Sequence, residues 1–88
     1  MISLYVDKGN IILFPNPVLK TSYLKVDYPE SQNFTIKIFN STGNLVEVYQ
    51  LIAPTQIEIN SINYQKGIYF YQVIKENKQI FNSKFIVL

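Results

Sequence analysis

Apolar residues occur at every second position along most of the chain. In residues 24–28, and again in residues 34–38, apolar side chains alternate with more polar neighbours. This period of two is typical of a β-strand with one face in a protein core, whereas an amphipathic helix repeats about every 3.6 residues. Sustained helical spacing is absent from the sequence. The pattern therefore predicts a chain built from strands.

Turn signals divide the chain into about seven such strands. Residues 40–44, Asn-Ser-Thr-Gly-Asn, and residues 76–78, Glu-Asn-Lys, each separate two apolar runs, and Pro54 ends another. Short strands at roughly ten-residue spacing are the signature of a sandwich or barrel. We predict an all-β fold, an immunoglobulin-like β-sandwich of about seven mostly antiparallel strands. Residues 68–74 have large apolar groups on both faces, which favours a central strand that is buried on both sides, although two exposed Tyr residues would give the same pattern.

Composition limits both the size and the chemistry of the domain. The chain has 88 residues and no His or Cys. This length fits one domain, since about 100–200 residues per domain is usual. We assign residues 11–88 to that domain and residues 1–10 to a linker remnant or leading strand. Without His or Cys, the common zinc, haem, thiol and Ser-His-Asp chemistries lack their usual residues. We therefore predict no enzyme, no metal and no cofactor.

Charge and hydropathy argue against two classes of partner. A net charge of +2 from scattered Lys residues is too small to hold a nucleic acid, where several phosphate contacts are usual. No apolar stretch approaches the ~20 residues that cross a bilayer, and residues 1–10 lack the features of a secretion leader. Asp27 and Glu30 flank a Tyr-Pro turn, and we interpret them as solvated turn residues rather than a general acid/base pair.

Two short segments carry more information than the rest. Residues 14–17, Phe-Pro-Asn-Pro, fix φ at two sites and remove two backbone donors, so they end a strand sharply. Residues 67–69, Gly-Ile-Tyr, allow a positive φ where the chain re-enters a sheet and then place a large ring. The nearby Tyr64, Tyr69 and Tyr71 would make a sugar-stacking platform if exposed, although aromatic residues in a small sandwich more often pack in the core.

The order and spacing of these motifs resemble those of type IX secretion C-terminal sorting domains, type A. The resemblance covers residues 11–88, and the ordered set is fairly specific although each part alone is weak. The matching residues are Pro15, Asn16 and Pro17 in the opening motif, Gly43 in the central turn, Gly67 and Tyr69 in a Gly-x-Tyr element, and Lys84 at the start of the terminal apolar strand.

The resemblance implies a domain that acts as a folded address label on a secreted cargo protein of Bacteroidota. Such a cargo reaches the periplasm by its own signal peptide, and the sorting domain then directs it through the outer-membrane translocon. A cysteine-protease-like sortase commonly removes the domain, and the cargo is secreted or held at the cell surface. The implied partners are the type IX secretion machinery, its sortase and a covalently linked upstream cargo, which would carry any enzymatic activity.

The terminal strand is the first candidate for contact with that machinery, because its backbone can pair with a sheet edge. The proposed recognition residues are Pro15, Asn16, Pro17, Gly43, Gly67, Tyr69, Lys84, Phe85, Ile86, Val87 and Leu88. The same residues are expected if they only complete the fold, and the sequence leaves both interpretations open. A second functional class also stays open, a non-catalytic carbohydrate- or protein-binding sandwich module with an exposed aromatic strand.

Overall fold

The structure is a computed structural model that describes residues 10–28 and 31–88. Within these ranges the chain forms seven strands and one short 3₁₀ turn, Ser61–Asn63. The strands are β1 (Asn10–Phe14), β2 (Thr21–Asp27), β3 (Gln32–Asn40), β4 (Leu45–Ala53), β5 (Thr55–Asn60), β6 (Gly67–Lys75) and β7 (Lys78–Val87). Apart from Asn10, the predicted linker remnant or leading strand lies outside the described residues.

The strands form two sheets that face each other across one core. One sheet has the order β1-β2-β5, and the other has the order β4-β3-β6-β7. All strand pairings within these sheets of the described chain are antiparallel. Three strands packed on four is the arrangement of an immunoglobulin-like sandwich. The predicted fold class and the predicted strand number are therefore confirmed.

The alternation in the sequence produces the core directly. In β3 the residues Phe34, Ile36 and Ile38 are buried, while the residues between them are less so. Fully burying a side chain of this kind stabilises a fold by roughly 1.5–3 kcal/mol. The buried apolar residues are Val18, Leu24, Val26, Tyr28, Phe34, Ile36, Ile38, Ala53, Ile59, Tyr69, Tyr71, Val73, Phe85 and Val87.

Both predicted turns connect antiparallel neighbours. Between β6 and β7, Glu76 and Asn77 have φ values of 53° and 64°. Two successive positive φ values define the type I′ turn that joins a tight hairpin. Between β3 and β4 the backbone N–H of Asn40 donates to the Asn44 carbonyl at 2.9 Å, which closes the longer turn.

The prediction of two-sided burial for β6 is wrong. The strand is central in its sheet, between β3 and β7, but only its inner side is covered. Ile68 and Phe70 on its outer side are each 44% exposed. Large apolar residues on both faces therefore indicate here a strand with one buried side and one apolar surface.

Candidate functional site

Residues 15–18 follow β1 and lie along the outer edge of β7. The backbone N–H of Val18 donates to the Ile86 carbonyl at 2.7 Å, and the N–H of Leu88 donates to the Val18 carbonyl at 3.0 Å. These bonds accompany a parallel bridge between Val18 and Val87. We call residues 15–18 the clasp segment, because they close this edge of the four-stranded sheet.

The side chain of Asn16 adds two contacts to the same edge. Its Oδ1 accepts a hydrogen bond from the Ile86 N–H at 3.1 Å, and its Nδ2 donates to the Lys84 carbonyl at 3.4 Å. Pro15 and Pro17 have no N–H to offer a strand. An Asn side chain carries both a donor and an acceptor. Asn16 therefore takes the place of a strand residue where the flanking prolines cannot.

The clasp segment is also fixed to the core of the sandwich. The side chain of Val18 is fully buried. Ser22 on β2 is buried as well, and its hydroxyl donates a hydrogen bond to the Pro15 carbonyl. A buried hydroxyl without a partner would destabilise the fold, so this bond satisfies Ser22 and holds the start of the clasp at once. The peptide bonds before Pro15 and Pro17 are both cis.

On its inner side, β7 packs against a group of aromatic rings. Tyr69 lies opposite Phe85, and the two rings stack with centroids 5.3 Å apart and an interplanar angle of 13°. Tyr64 meets Tyr69 edge-on at 5.2 Å. The Tyr69 hydroxyl donates to the Gln65 carbonyl at 2.6 Å. Gly67, which begins β6, has a φ of +146° that other residues rarely adopt, so its conformation requires glycine.

The central turn lies at the end of the sheet where β6 begins. Asn40 pairs with Tyr69 across β3 and β6. Its Oδ1 accepts from the backbone N–H groups of Thr42, at 3.1 Å, and Asn44, at 3.0 Å. Gly43 has a φ of +88° and open space where a Cβ would stand. Its role is thus to permit the turn conformation.

The four motifs therefore meet at one end of the four-stranded sheet. Among the predicted recognition residues, Tyr69, Phe85 and Val87 are buried, so their side chains hold β7 in place within the folded domain. The exposed members are Pro15, Asn16, Pro17, Gly43, Gly67, Lys84, Ile86 and Leu88. Along β7, burial alternates, so Lys84 and Ile86 point outward between the buried residues.

The sequence matches the family of secretion system C-terminal sorting domains over residues 12–88. That span includes the clasp segment, both glycine motifs and the terminal strand. The chain belongs to this family. The family is the C-terminal secretion signal of the type IX system, so this sorting domain interacts with that machinery. Secretion through the outer membrane to the cell surface or the surroundings follows from the same signal.

A solved structure shares the fold of the sorting domain. It is the crystal structure of dimeric latent PorU from Porphyromonas gingivalis, with a TM-score of 0.64 and 24% sequence identity. The similarity covers 91% of the sorting domain but only 9% of the PorU chain. At this identity the likeness supports the fold alone. A comparison with curated proteins gave no match.

The aromatic residues of the sorting domain do not form an exposed platform. Tyr69 and Tyr71 are buried, and Tyr64 is half-buried. Burial raises the pKa of Tyr64, and the neighbouring Tyr49 raises it further. Burial also raises the pKa of Tyr71, and a hydrogen bond with Ser83 opposes that increase with a smaller effect. The sugar-platform hypothesis is therefore wrong, and the interpretation of these rings as core residues is confirmed.

Other candidate chemistry is sparse in the described ranges. Of the predicted turn acids, Asp27 is half-buried at the end of β2, and Glu30 lies outside the described residues. Residues 10–28 and 31–88 contain no cluster of three potential metal ligands. No helix within those ranges has the length and apolar character needed to cross a membrane. The family to which the chain belongs is a non-catalytic sorting tail.

Sequence reasoning missed Val18 and Ser22, which fix the clasp segment. Ser22 did leave a signal, because it continues the buried positions of β2 that include Leu24 and Val26. A polar residue in such a register needs a buried partner. Val18 left no comparable signal, since it is followed directly by Leu19 and the sequence does not show which of these two apolar residues is buried.

Proposed function

We propose that the type IX machinery recognises this sorting domain in its folded state, with the clasp segment closed on β7. The clasp forms four hydrogen bonds with this strand, to the carbonyls of Lys84 and Ile86 and to the N–H groups of Ile86 and Leu88. This strand therefore has no free edge at residues 84–88 to offer a partner unless the clasp opens. Recognition then depends on side chains.

The observation that carries the proposal is the meeting of sequence-distant motifs at one surface. Asn16 and Lys84 come from opposite ends of the chain, yet the Asn16 amide bonds the Lys84 carbonyl. The Lys84 side chain is exposed beside it. Such a surface exists only when β7 and the clasp are both in place, so it lets a partner select folded domains. A single linear segment would not give that selection.

The proposal extends to the protein that carries the domain. A cargo covalently linked upstream crosses the periplasm, is exported with the sorting domain attached, and loses the domain to a sortase. The sorting domain itself performs no catalysis, and any activity resides in the cargo. The clasp supports this division of roles, because it builds a recognition surface without assembling acid, base or nucleophile.

Export of a reporter tests the proposal. The reporter is fused ahead of this chain in a bacterium that has a type IX secretion system, and the secreted and periplasmic fractions are compared. Lys84→Glu reverses one exposed charge, and Lys25→Glu on the outward side of β2 is the matched control. We expect export of the Lys84→Glu fusion to fall while its melting temperature stays near that of the control. Equal export of both variants would contradict recognition at this surface.

A further inference from the structure

The outer side of the four-stranded sheet carries a group of apolar side chains that the clasp does not explain. Outward positions of a sheet exposed to water are usually polar. Here they are apolar on four adjacent strands. We call this group the outer patch, and its members are Phe39, Leu45, Ile68, Phe70 and Ile86.

The strand register places these side chains next to one another. Phe39 lies opposite Phe70 on β6 and opposite Leu45 on β4, while Ile68 lies opposite Ile86 on β7. Leu45 is 51% exposed, and Ile68 and Phe70 are 44% exposed. Contiguous exposed apolar groups on a small domain mark an interaction surface more often than scattered ones do.

The charges around the outer patch have one sign. Lys84 lies opposite Phe70, and Lys37 shares the outward side of β3 with Phe39. Glu47 is the single carboxylate in the sequence of the four strands, and it lies opposite the buried Ile38. It therefore belongs to the inner side of the sheet. The outward side of these strands presents lysine without an acidic neighbour.

A shallow depression joins the apolar and charged parts of this surface. Phe39, Phe70 and Lys84 line it, and its volume is about 410 Å³. Its walls suit an apolar side chain, and the Lys84 ammonium at the rim suits a carboxylate. Aromatic side chains in such a position supply much of the energy of a protein interface.

We propose that the outer patch docks a protein of the secretion machinery that presents apolar side chains beside carboxylates. This inference rests on the proposed function, and it extends the surface that the machinery recognises from the clasped edge to the outer patch. A second copy of the chain fits poorly, because face-to-face packing would oppose lysines with no carboxylate between them. A lipid surface also fits poorly, since lipid recognition by basic clusters uses about 4–8 Lys or Arg and this face offers two.

A matched pair of double variants tests the outer patch in the same reporter fusion. Ile68→Thr with Phe70→Thr removes two patch members, and Ile12→Thr with Ile62→Thr removes two exposed apolar groups outside the four-stranded sheet. The exposures are 44% and 44% in the first pair, and 52% and 83% in the second. Threonine keeps a side chain suited to strands. We expect the patch variant to lower export at least about tenfold, as loss of two interface anchors does, and the control to lower it far less.

Lys37→Glu gives a second readout that is independent of packing. Lys37 adjoins the outer patch but is outside the recognition residues predicted from the sequence, and Lys25→Glu is again its control. Loss of export with Lys37→Glu alone supports docking on this face even if the double variant unfolds. Equal export of all folded variants would overturn the outer-patch inference while leaving the proposed function intact. Failure of the unaltered fusion to be exported would instead overturn the proposed function.

Two measurements on the 88-residue chain distinguish the other occupants. Co-sedimentation with phosphatidylglycerol vesicles that is lost in the Ile68→Thr, Phe70→Thr variant would assign the patch to a lipid surface and overturn the inference. A dimer in sedimentation equilibrium that the same variant dissociates would assign it to a second copy, with the same consequence. We expect a monomer that does not sediment with the vesicles.

Discussion

The two edge strands of the four-stranded sheet, β7 and β4, differ in how their outer sides are paired. At β7 the clasp segment occupies the outward backbone groups, and Asn16 completes the bonding where the prolines have no N–H. At β4 the strand pairs with β3 on one side, and no described strand pairs with its other side. Apart from Gly43 in the turn between β3 and β4, the motif residues lie on the clasp, on β7 or on the neighbouring β6, and none lies in β4. The sorting motifs thus cover the edge strand β7 instead of leaving it free to pair with a partner strand.

The inner sides of the two edges differ as well. Phe85 on β7 is fully buried and contacts the rings of Tyr64, Tyr69 and Tyr71. On β4 most residues are exposed, and the inward-facing Leu51 is only half-buried. Packing density sets how strongly a truncation is felt. The closed edge should therefore carry much more of the domain's stability than the open edge.

The largest expected difference between the edges comes from truncating one side chain on each. Phe85→Ala removes the ring at the centre of the aromatic group, and such a change costs about 3–5 kcal/mol of unfolding free energy. Val48→Ala on β4, where the side chain is 45% exposed, should change it by about 0.5 kcal/mol or less. Urea denaturation followed by tyrosine fluorescence measures both. Similar losses at the two positions would remove the distinction between the edges.

Removing the Asn16 side chain should destabilise the domain less than Phe85→Ala does, but more than removing an ordinary exposed amide. Asn16→Ala loses two hydrogen bonds to β7 and should lower the unfolding free energy by about 1–2 kcal/mol. Asn82→Ala, at an exposed position of the same strand, should have an effect of about 0.5 kcal/mol or less. In amide hydrogen exchange, the Ile86 N–H should lose protection in Asn16→Ala. Unchanged protection would mean that the Asn16 side chain does not hold this edge.

The alternating strands and their core were predictable, because the burial of every second residue appears as a pattern among neighbouring residues in the sequence. The clasp was not, since its bond between Asn16 and Ile86 joins residues 70 positions apart. No local pattern reports such a contact. The two prolines correctly predicted the end of β1, but the destination of the segment depended on the edge that β7 presents.

The recognition residues were predictable as a set but not in their separate roles. The motif resemblance selected both Tyr69 and Lys84, yet one is buried in the core and the other is exposed. The alternation in β7 alone predicts that neighbours point to opposite sides, but it does not say which side is covered. That depends on which sheet packs behind the strand. The same ambiguity produced the wrong prediction for Ile68 and Phe70.

The central claim, recognition with the clasp closed, has a direct test in a covalent lock. Val18 and Val87 are bridge partners, and paired strand positions have the close Cα spacing that a disulfide requires. The sequence has no other Cys, so Val18→Cys with Val87→Cys forms one defined bond in an oxidising compartment. The readout is export of a Cys-free reporter fused to the locked domain, with the two single-Cys variants as controls.

We expect the locked domain to be exported as well as either single-Cys variant, with the disulfide intact in the secreted product. Normal export of both single-Cys variants, with the locked domain retained in the periplasm, would contradict it. That result would mean that the clasp must open and that β7 is recognised as a free edge.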